Sequence, residues 1–433
     1  MAIKAKRIMK RRNTCSCSMP GVWRALCYVD GAVVIFHSPR ACAHIARRMD
    51  INSYYRNLRD AYGECSLKSV PLLSSDLEED EAVFGGENRL RRAIRYAAEK
   101  YHPKAIFIAN SCVSGVIGDD TEAVAAELEE ELGIAVAAVS AHGYLDGEYF
   151  AGYIDTARML IDRFMQPQPK KPGTVMLLGD CGGVYGEYVQ QVKRLLGYFS
   201  LRVTAHFPSF IPIDQLAEAP SASLTIVLGR YKEDERQKEL VKLAEHIQER
   251  FAIPYIGDVY PVGFEQTKLW LQRVGGQLGK PALARKAIAS EEAAFAAAID
   301  EGRQVLAGKK VVYCVGRLAQ YFQPEIDLAL LQRLGIELLG VQLFDCYPAE
   351  ERLLLLQRLQ ACTAAPVLDE QAAEAAMRQA DFVLTTHELL SADIKQVYTL
   401  FLPGAGWCGE RDLLRAMERL VCRRPGRGGL VYA

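Results

Sequence analysis

The sequence has little of what would draw it to a distant partner. Its 52 Lys and Arg residues stand against 53 Asp and Glu, leaving a formal net charge of −1, so no global field pulls the chain towards nucleic acid or an anionic membrane. It has no apolar run approaching the roughly 18 residues that a membrane span needs. The amino-terminal MAIKAKRIMKRR carries six basic residues in twelve and lacks the apolar core of a secretory signal. We therefore expect a cytoplasmic protein with neither nucleic acid nor membrane as partner, its basic arm solvated or lying on another chain. A GxxxxGK[ST] phosphate loop is missing too, which leaves ATP chemistry to some other protein. The glycine-rich GDCGGVYGE (179–187) does not fit GxGxxG, and no acidic residue follows a second strand at the expected place, so a dinucleotide site is not expected there. No short-period repeat or low-complexity tract occurs.

What is present is a globular composition, 50% hydrophobic and 24% charged over 433 residues, which is enough for about two or three domains. Cysteine is the residue type with a pattern. The twelve are Cys15, Cys17, Cys27, Cys42, Cys65, Cys112, Cys181, Cys314, Cys346, Cys362, Cys408 and Cys422, and six of them fall in the first 112 residues. Without an export signal a disulfide framework is not expected, and such clustering points to metal binding or redox work. Each thiol taken alone is equally well a small buried hydrophobe.

Three times the chain begins a pattern of apolar strand, polar or glycine-bearing turn and amphipathic helix. The first block holds GAVVIFHS (31–38), KAIFIANS (104–111) and IAVAAVSAHG (134–143); MQPQPKKPG (165–173) reads as a linker. The second holds TVMLLGD (174–180), SLTIVLG (223–229) and IPYIGDVYPVG (253–263), and an Ala-rich helix (284–308) leads to the third, with KKVVYCVG (309–316), IELLGVQLF (336–344) and ADFVLTT (380–386). Short continuous apolar strands alternating with helices predict parallel sheets covered on both faces. The expected fold is α/β, with three Rossmann-like domains near 1–166, 172–305 and 306–433.

In such sheets ligands collect where strands end and helices begin. Cys42, in HSPRACAHIARRM, follows the strand 31–38; Cys112, in NSCVSGVIGDD, follows the strand 104–111. Both thiols thus take equivalent places at helix starts, whose positive ends favour thiolate. Soft anionic ligands on rigid scaffolding are what an iron–sulfur cluster requires. Spacing is weaker evidence: Cys15 and Cys17 with Cys42 twenty-five positions beyond Cys17 match no zinc pattern of close pairs. On residue chemistry, a cluster, zinc and inert buried thiols all stay open.

Motifs narrow the choice. HSPRACA (37–43) resembles the His-Gly-Pro-x-Gly-Cys segment of nitrogenase component 1 proteins, and SCVSGVIGDD (111–120) is similar to their Cys-x-x-x-x-Ile-Gly-Asp-Asp signature. AVFGGENRLRRAI (82–94) resembles their Phe-Gly-Gly-x-x-x-Leu helix start, and CSMPGVWRALCYVDG (17–31) their Cys-x-Pro segment, in particular that of β-type subunits. The four matches occur in family order. The resemblance implies that Cys17, Cys42 and Cys112 are ligands to a P-cluster-type iron–sulfur cluster, [8Fe-7S] or related, shared with an α-type partner subunit in an α2β2 heterotetramer. Cys15 is the alternative to Cys17; Cys27 and Cys65 read as structural. His37 reads as a hydrogen-bonded core group, Asp119 and Asp120 as structural groups that help position Cys112, and Glu148 lies near a place where some β-type chains put an oxygen on the oxidised cluster.

Two departures matter. Where α-type chains put the cysteine that holds the large active-site cofactor, SLTIVLGRYKEDE has Gly229; where they put its histidine, the nearest residues are Phe401 and Leu402. Neither place offers a metal ligand. The expected function is therefore an oxidoreductase subunit without catalytic residues of its own. It would be the β-type half of a nitrogenase-like reductase, nitrogenase or methylthio-alkane reductase, relaying electrons from a transiently docking ATP-dependent iron–sulfur reductase to the partner's cofactor. Tetrapyrrole reductases of the same resemblance use fewer cysteines in the β-type chain. The alternative is a subunit of the family's cofactor-assembly scaffold.

Overall fold

A computed structural model describes residues 17–48, 68–145, 148–231, 234–316, 322–344, 349–386, 389 and 394–423. The basic arm, Cys15, Cys65 and Cys346 lie outside them. Three sheets follow one another along the chain, every pairing parallel.

The first comprises β1 (Ala32–His37), β2 (Leu72–Ser74), β3 (Ala105–Asn110) and β4 (Ala135–His142), in the order β2-β1-β3-β4. The central strands AVVIFH and AIFIAN are buried at every position, which is why they read as continuous apolar runs rather than alternating ones. Their register pairs Val33 with Ile106, Ile35 with Ile108 and His37 with Asn110. Helices Glu87–Tyr101 and Thr121–Leu132 cover one face, placing Leu90, Ile94, Val124 and Leu128 against Val33, Ile35, Ile106 and Ile108. Truncating Leu90 to Ala there would cost about 2–5 kcal/mol.

The second sheet has β5 (Lys171–Leu178), β6 (Arg202–Phe207), β7 (Ala222–Val227) and β8 (Tyr255–Ile256), ordered β6-β5-β7-β8. Both sheets lie in one compact unit, residues 13–258. The other unit, which takes in residues 259–433, holds β9 (Lys310–Val315), β10 (Glu337–Leu343), β11 (Val367–Leu368), β12 (Phe382–Thr385) and β13 (Val397–Thr399), in the order β11-β10-β9-β12-β13. Helices Phe264–Gln277 and Pro281–Leu306 belong to this unit, and Phe264, Phe295, Leu331, Leu413 and Met417 build its core. No helix among the described residues is long and apolar enough to cross a membrane.

One short helix is unusual for its burial. Met19–Leu26, which follows Cys17, has all eight residues buried. It packs on helix Tyr149–Phe164 through two glycines: a Cβ on Gly21 would stand 1.7 Å from the Tyr149 carbonyl oxygen, and one on Gly152 would stand 2.2 Å from that of Ser18. Backbones at this separation admit no side chain.

Candidate metal centre

In the first sheet β1 leads to β2 on one side, while β3 adds on the other. The order reverses between β1 and β3, and ligands of open α/β sheets bind beyond the strand ends at such a point. The chain leaves β1 through Ser38 and Pro39 into helix Arg40–Arg48, whose third residue is Cys42, its N–H donating to the Pro39 carbonyl at 3.1 Å. It leaves β3 through Ser111, the cap of helix Cys112–Ile117; the Ser111 hydroxyl accepts from Ser114 N–H while the Ser114 hydroxyl accepts from Ser111 N–H. Ser111 N–H also donates to the His37 carbonyl, at 3.3 Å, tying the two exits together.

Cys17 reaches the same edge from a different direction. Ser18 N–H donates to the Gly143 carbonyl at 3.1 Å. Gly143 has φ +59°, and a Cβ on it would come within 2.6 Å of the Cys112 nitrogen. The Cys17 segment and the Cys112 helix therefore meet through one glycine, just beyond β4. All three thiols are partly exposed.

Cys42 senses Cys112. Burial pushes the Cys42 thiol above its ordinary pKa, the charge of Cys112 pushes it further, and a hydrogen bond from Ser38 only partly opposes them. Desolvation thus opposes the pull of the helix start towards thiolate at Cys42, and a bound cation would add to that pull. Among the described residues no three His, Cys, Asp or Glu side chains converge as a single ion requires. A polynuclear cluster instead takes its thiolates on different irons, and three separate, partly exposed thiols along one edge fit that demand. Cys15, the alternative ligand, lies outside the described residues. Cys27 is a packed thiol, 1% exposed, donating to the Arg24 carbonyl and pushed up to about 12 by burial.

Beneath the thiols lies a buried hydrogen-bonded chain. His37 Nε2 is 2.8 Å from Asp119 Oδ2 and its Nδ1 is 2.9 Å from Ser75 Oγ. A carboxylate only accepts, so Nε2 carries the proton and Nδ1 accepts from the Ser75 hydroxyl. Burial holds His37 below the ordinary histidine pKa despite the opposing pull of Asp119, so it is neutral at pH 7. The other oxygen of Asp119 accepts from Gly86 N–H at 2.8 Å, and Ser75 Oγ accepts from Ser38 N–H at 3.2 Å. His37 is thus the hydrogen-bonded core group expected of it. Asp120 is an ordinary helix cap, accepting from Ala123 N–H, whereas Asp119 reaches across to two other motifs. Gly86 is required by that approach: a Cβ there would lie 2.4 Å from Leu77 Cδ2 and 2.7 Å from Asp119 Oδ2.

Around the thiols stands a set of exposed apolar side chains on the same loops and helices: Ile45 after Cys42, Val83 and Phe84 before Gly85, Val116 after Cys112, and Tyr144 and Leu145 after Gly143; Phe84 is 85% exposed and Val116 76%. The exit of β7 is built otherwise. A Cβ on Gly229 would lie 2.2 Å from Gln237 Oε1. The Gln237 amide donates to the Leu228 carbonyl at 3.1 Å, and the Tyr188 hydroxyl donates to that of Gly229. Phe401 and Leu402 are exposed hydrocarbon.

The family described as nitrogenase component 1 type oxidoreductase matches residues 17–403. The chain belongs to that family. It is 27% identical to the nitrogenase iron-molybdenum cofactor biosynthesis protein NifE of Rhodobacter capsulatus, over 96% of this chain and 88% of that protein. It is 31% identical to NifE of Clostridium pasteurianum, over 66% of this chain and 60% of that protein. With the nitrogenase molybdenum-iron protein alpha chain of Methanosarcina barkeri the identity is 27%, over 61% of this chain and 48% of that one. Among solved structures, nitrogenase Cp1 at pH 5 superposes with a TM-score of 0.60 at 19% identity, covering 98% of this chain and 91% of that one. The last likeness is one of fold.

Proposed function

We propose that this nitrogenase component 1 family member is one half of a two-chain cofactor-assembly complex, holding an iron–sulfur cluster through Cys17, Cys42 and Cys112 on a face that a partner chain covers. The observation that carries the reading is the placement of three partly exposed thiols at the β1/β3 switch point within a border of exposed Ile45, Phe84, Val116 and Leu145. Apolar surface of that kind marks an interface, and thiols at its centre would be completed by ligands from the other side. Such a cluster supplies one-electron storage. The chain's part is to anchor it with thiolates, to hold the anchoring loops through Asp119 and His37, and to exclude water with the apolar border. Assembly is favoured because the relatives named above include cofactor biosynthesis proteins, and because Gly229, Phe401 and Leu402 provide no fixed ligand for a cofactor that has to be passed on.

The retained set of three cysteines favours a second reading, an electron-relaying β-type subunit of a nitrogenase-like reductase in an α2β2 complex served by an ATP-dependent iron–sulfur reductase. The test of both is anaerobic co-purification with the chain encoded beside it, with iron and acid-labile sulfide measured. Iron in the wild-type pair that is lost in Cys112→Ala is expected; an iron-free pair, or an unchanged cluster spectrum in Cys112→Ala, overturns the cluster. Transfer of a cofactor to an apo-enzyme then supports assembly, whereas sustained reduction of a small substrate supports the reductase.

A further inference from the structure

The Asp119 carboxylate joins three motif segments at the first sheet's edge. It accepts from Gly86 N–H in the Phe-Gly-Gly element and from His37 Nε2 at the end of β1, both at 2.8 Å, and it lies itself in the segment that Cys112 begins. Its side chain is 3% exposed and that of His37 is fully buried. Through His37 the contact continues to Ser75 Oγ and on to Ser38 N–H, and the Ser38 hydroxyl donates at 2.9 Å to the Pro39 carbonyl, which also accepts from Cys42 N–H at 3.1 Å. The path from the Cys112 segment to Cys42 is therefore an unbroken series of side-chain and backbone hydrogen bonds.

We infer that Asp119 is a positioning residue: it fixes the separation of Cys42 from Cys112 by clamping the loop of β1 and the glycine element to the helix that Cys112 opens. The inference rests on the cluster reading for its purpose, but not for its geometry. Position and charge make different demands on the residue. An asparagine at 119 could accept from Gly86 N–H with its oxygen and donate to His37 Nε2 with its amide. His37 would then move its proton to Nδ1 and donate to Ser75 Oγ, so every contact survives without the charge. An alanine loses both contacts and leaves Gly86 N–H and His37 Nε2–H buried and unpaired. Gly86→Ala attacks the same clamp from the other side, since its methyl group would overlap Asp119 Oδ2 and Leu77 Cδ2.

Two readouts test this on the full-length chain. In the cluster-free chain, a short bifunctional thiol reagent should bridge Cys42 and Cys112, as seen by peptide mass spectrometry. The yield should drop several-fold in Asp119→Ala and Gly86→Ala and stay at the wild-type level in Asp119→Asn. In the anaerobic pair, iron retention against a chelator should weaken about 10- to 100-fold in Asp119→Ala, the range for losing a group that orients metal ligands, and persist in Asp119→Asn with the wild-type cluster spectrum. Wild-type bridging and spectrum in both Asp119→Ala and Gly86→Ala overturn the inference. Asp119→Asn as defective as Asp119→Ala overturns it as well, since charge rather than position would then be at work. An iron-free wild-type pair removes the cluster reading alone, and the bridging series still decides whether Asp119 positions the thiols. If Asp119→Ala does not fold, Gly86→Ala carries the same comparison with the carboxylate in place.

Discussion

Two strand edges in the same compact unit were built on one plan and finished in opposite ways. At the β1/β3 edge the loops carry thiols, and the surrounding apolar side chains stand open, with Phe84 85% exposed. At the β5/β7 edge Tyr188 and Gln237 are buried and turn inward, the first donating to the Gly229 carbonyl and the second to that of Leu228. Both edges contain a buried histidine. His37 has a carboxylate on one nitrogen and a hydroxyl on the other, whereas His206 Nε2 donates to the Gly179 carbonyl at 2.7 Å and its Nδ1 finds no partner among the described residues. Topology offers a ligand position at each switch point. Side chains arriving from distant sequence decide whether it is used or sealed.

The comparison breaks most severely where the open edge depends on backbone contact. Gly21→Ala would drive a methyl group into the Tyr149 carbonyl oxygen, 1.7 Å away; backbone on both sides leaves little room to yield. We expect a loss of about 3 kcal/mol or more in urea unfolding, the range of severe steric and strain substitutions, together with displacement of Cys17. A second, smaller effect should fall on association alone. Phe84→Asp and Val116→Lys alter exposed side chains and should change the stability of the isolated chain by no more than about 0.5 kcal/mol. If the open edge is an interface, each should weaken capture of the partner chain by about 2 kcal/mol, roughly 30-fold in Kd by biolayer interferometry. Unchanged Kd values in both variants would make the edge an ordinary exposed surface.

The contrast between the edges was only half visible in the sequence. Central strands such as β1, β3, β5 and β9 announce themselves because burial on both faces makes them continuous apolar runs. The strands that escaped notice, β2, β6, β11 and β13, are all at sheet edges, and each has exposed or half-buried positions where hydrocarbon is not required. Cys42 and Cys112 were legible because position after a strand is a local property. The clamp was not: His37 and Asp119 are 82 residues apart, and an Asp-Asp pair before a helix looks like two caps, though only Asp120 is one. The seal at Gly229 was equally hidden. Its glycine was visible as a missing ligand, but the Gln237 amide beside it became evident only in three dimensions.

A pH series sharpens the difference between the two histidines. Burial lowers His206 from the ordinary 6.5 to about 3, so below pH 6.5 the unfolded chain binds a proton that the folded chain refuses. Stability is then complete above pH 6.5 and falls as pH drops towards 3, by up to about 1.4 kcal/mol per pH unit for this one group. His37, also lowered by burial but opposed by Asp119, adds in the same direction. His206→Gln keeps an N–H for Gly179 and removes the titration. Its urea midpoint at pH 5 should therefore fall less, relative to pH 7, than that of the wild type. Parallel pH profiles would show that His206 is not held neutral by the fold.

The smallest expected effect bears on the sealed edge itself. In Gly229→Cys the new Cβ would meet Gln237 Oε1 at 2.2 Å. Gln237 is the flexible end of a side chain and can swing away, giving up its hydrogen bond to the Leu228 carbonyl, so the cost should be about 1 kcal/mol. Pairing the change with Gln237→Ala should spare the displaced amide and make the new thiol more accessible to alkylation than in the single variant. Neither variant should gain iron, because the new thiol and the partly exposed Cys181 after β5 would make two thiols at this edge where the β1/β3 edge has three. If Gly229→Cys alone bound additional iron in the anaerobic pair, the β5/β7 edge would already contain a formed pocket. The difference between the two edges would then reduce to a single missing sulfur.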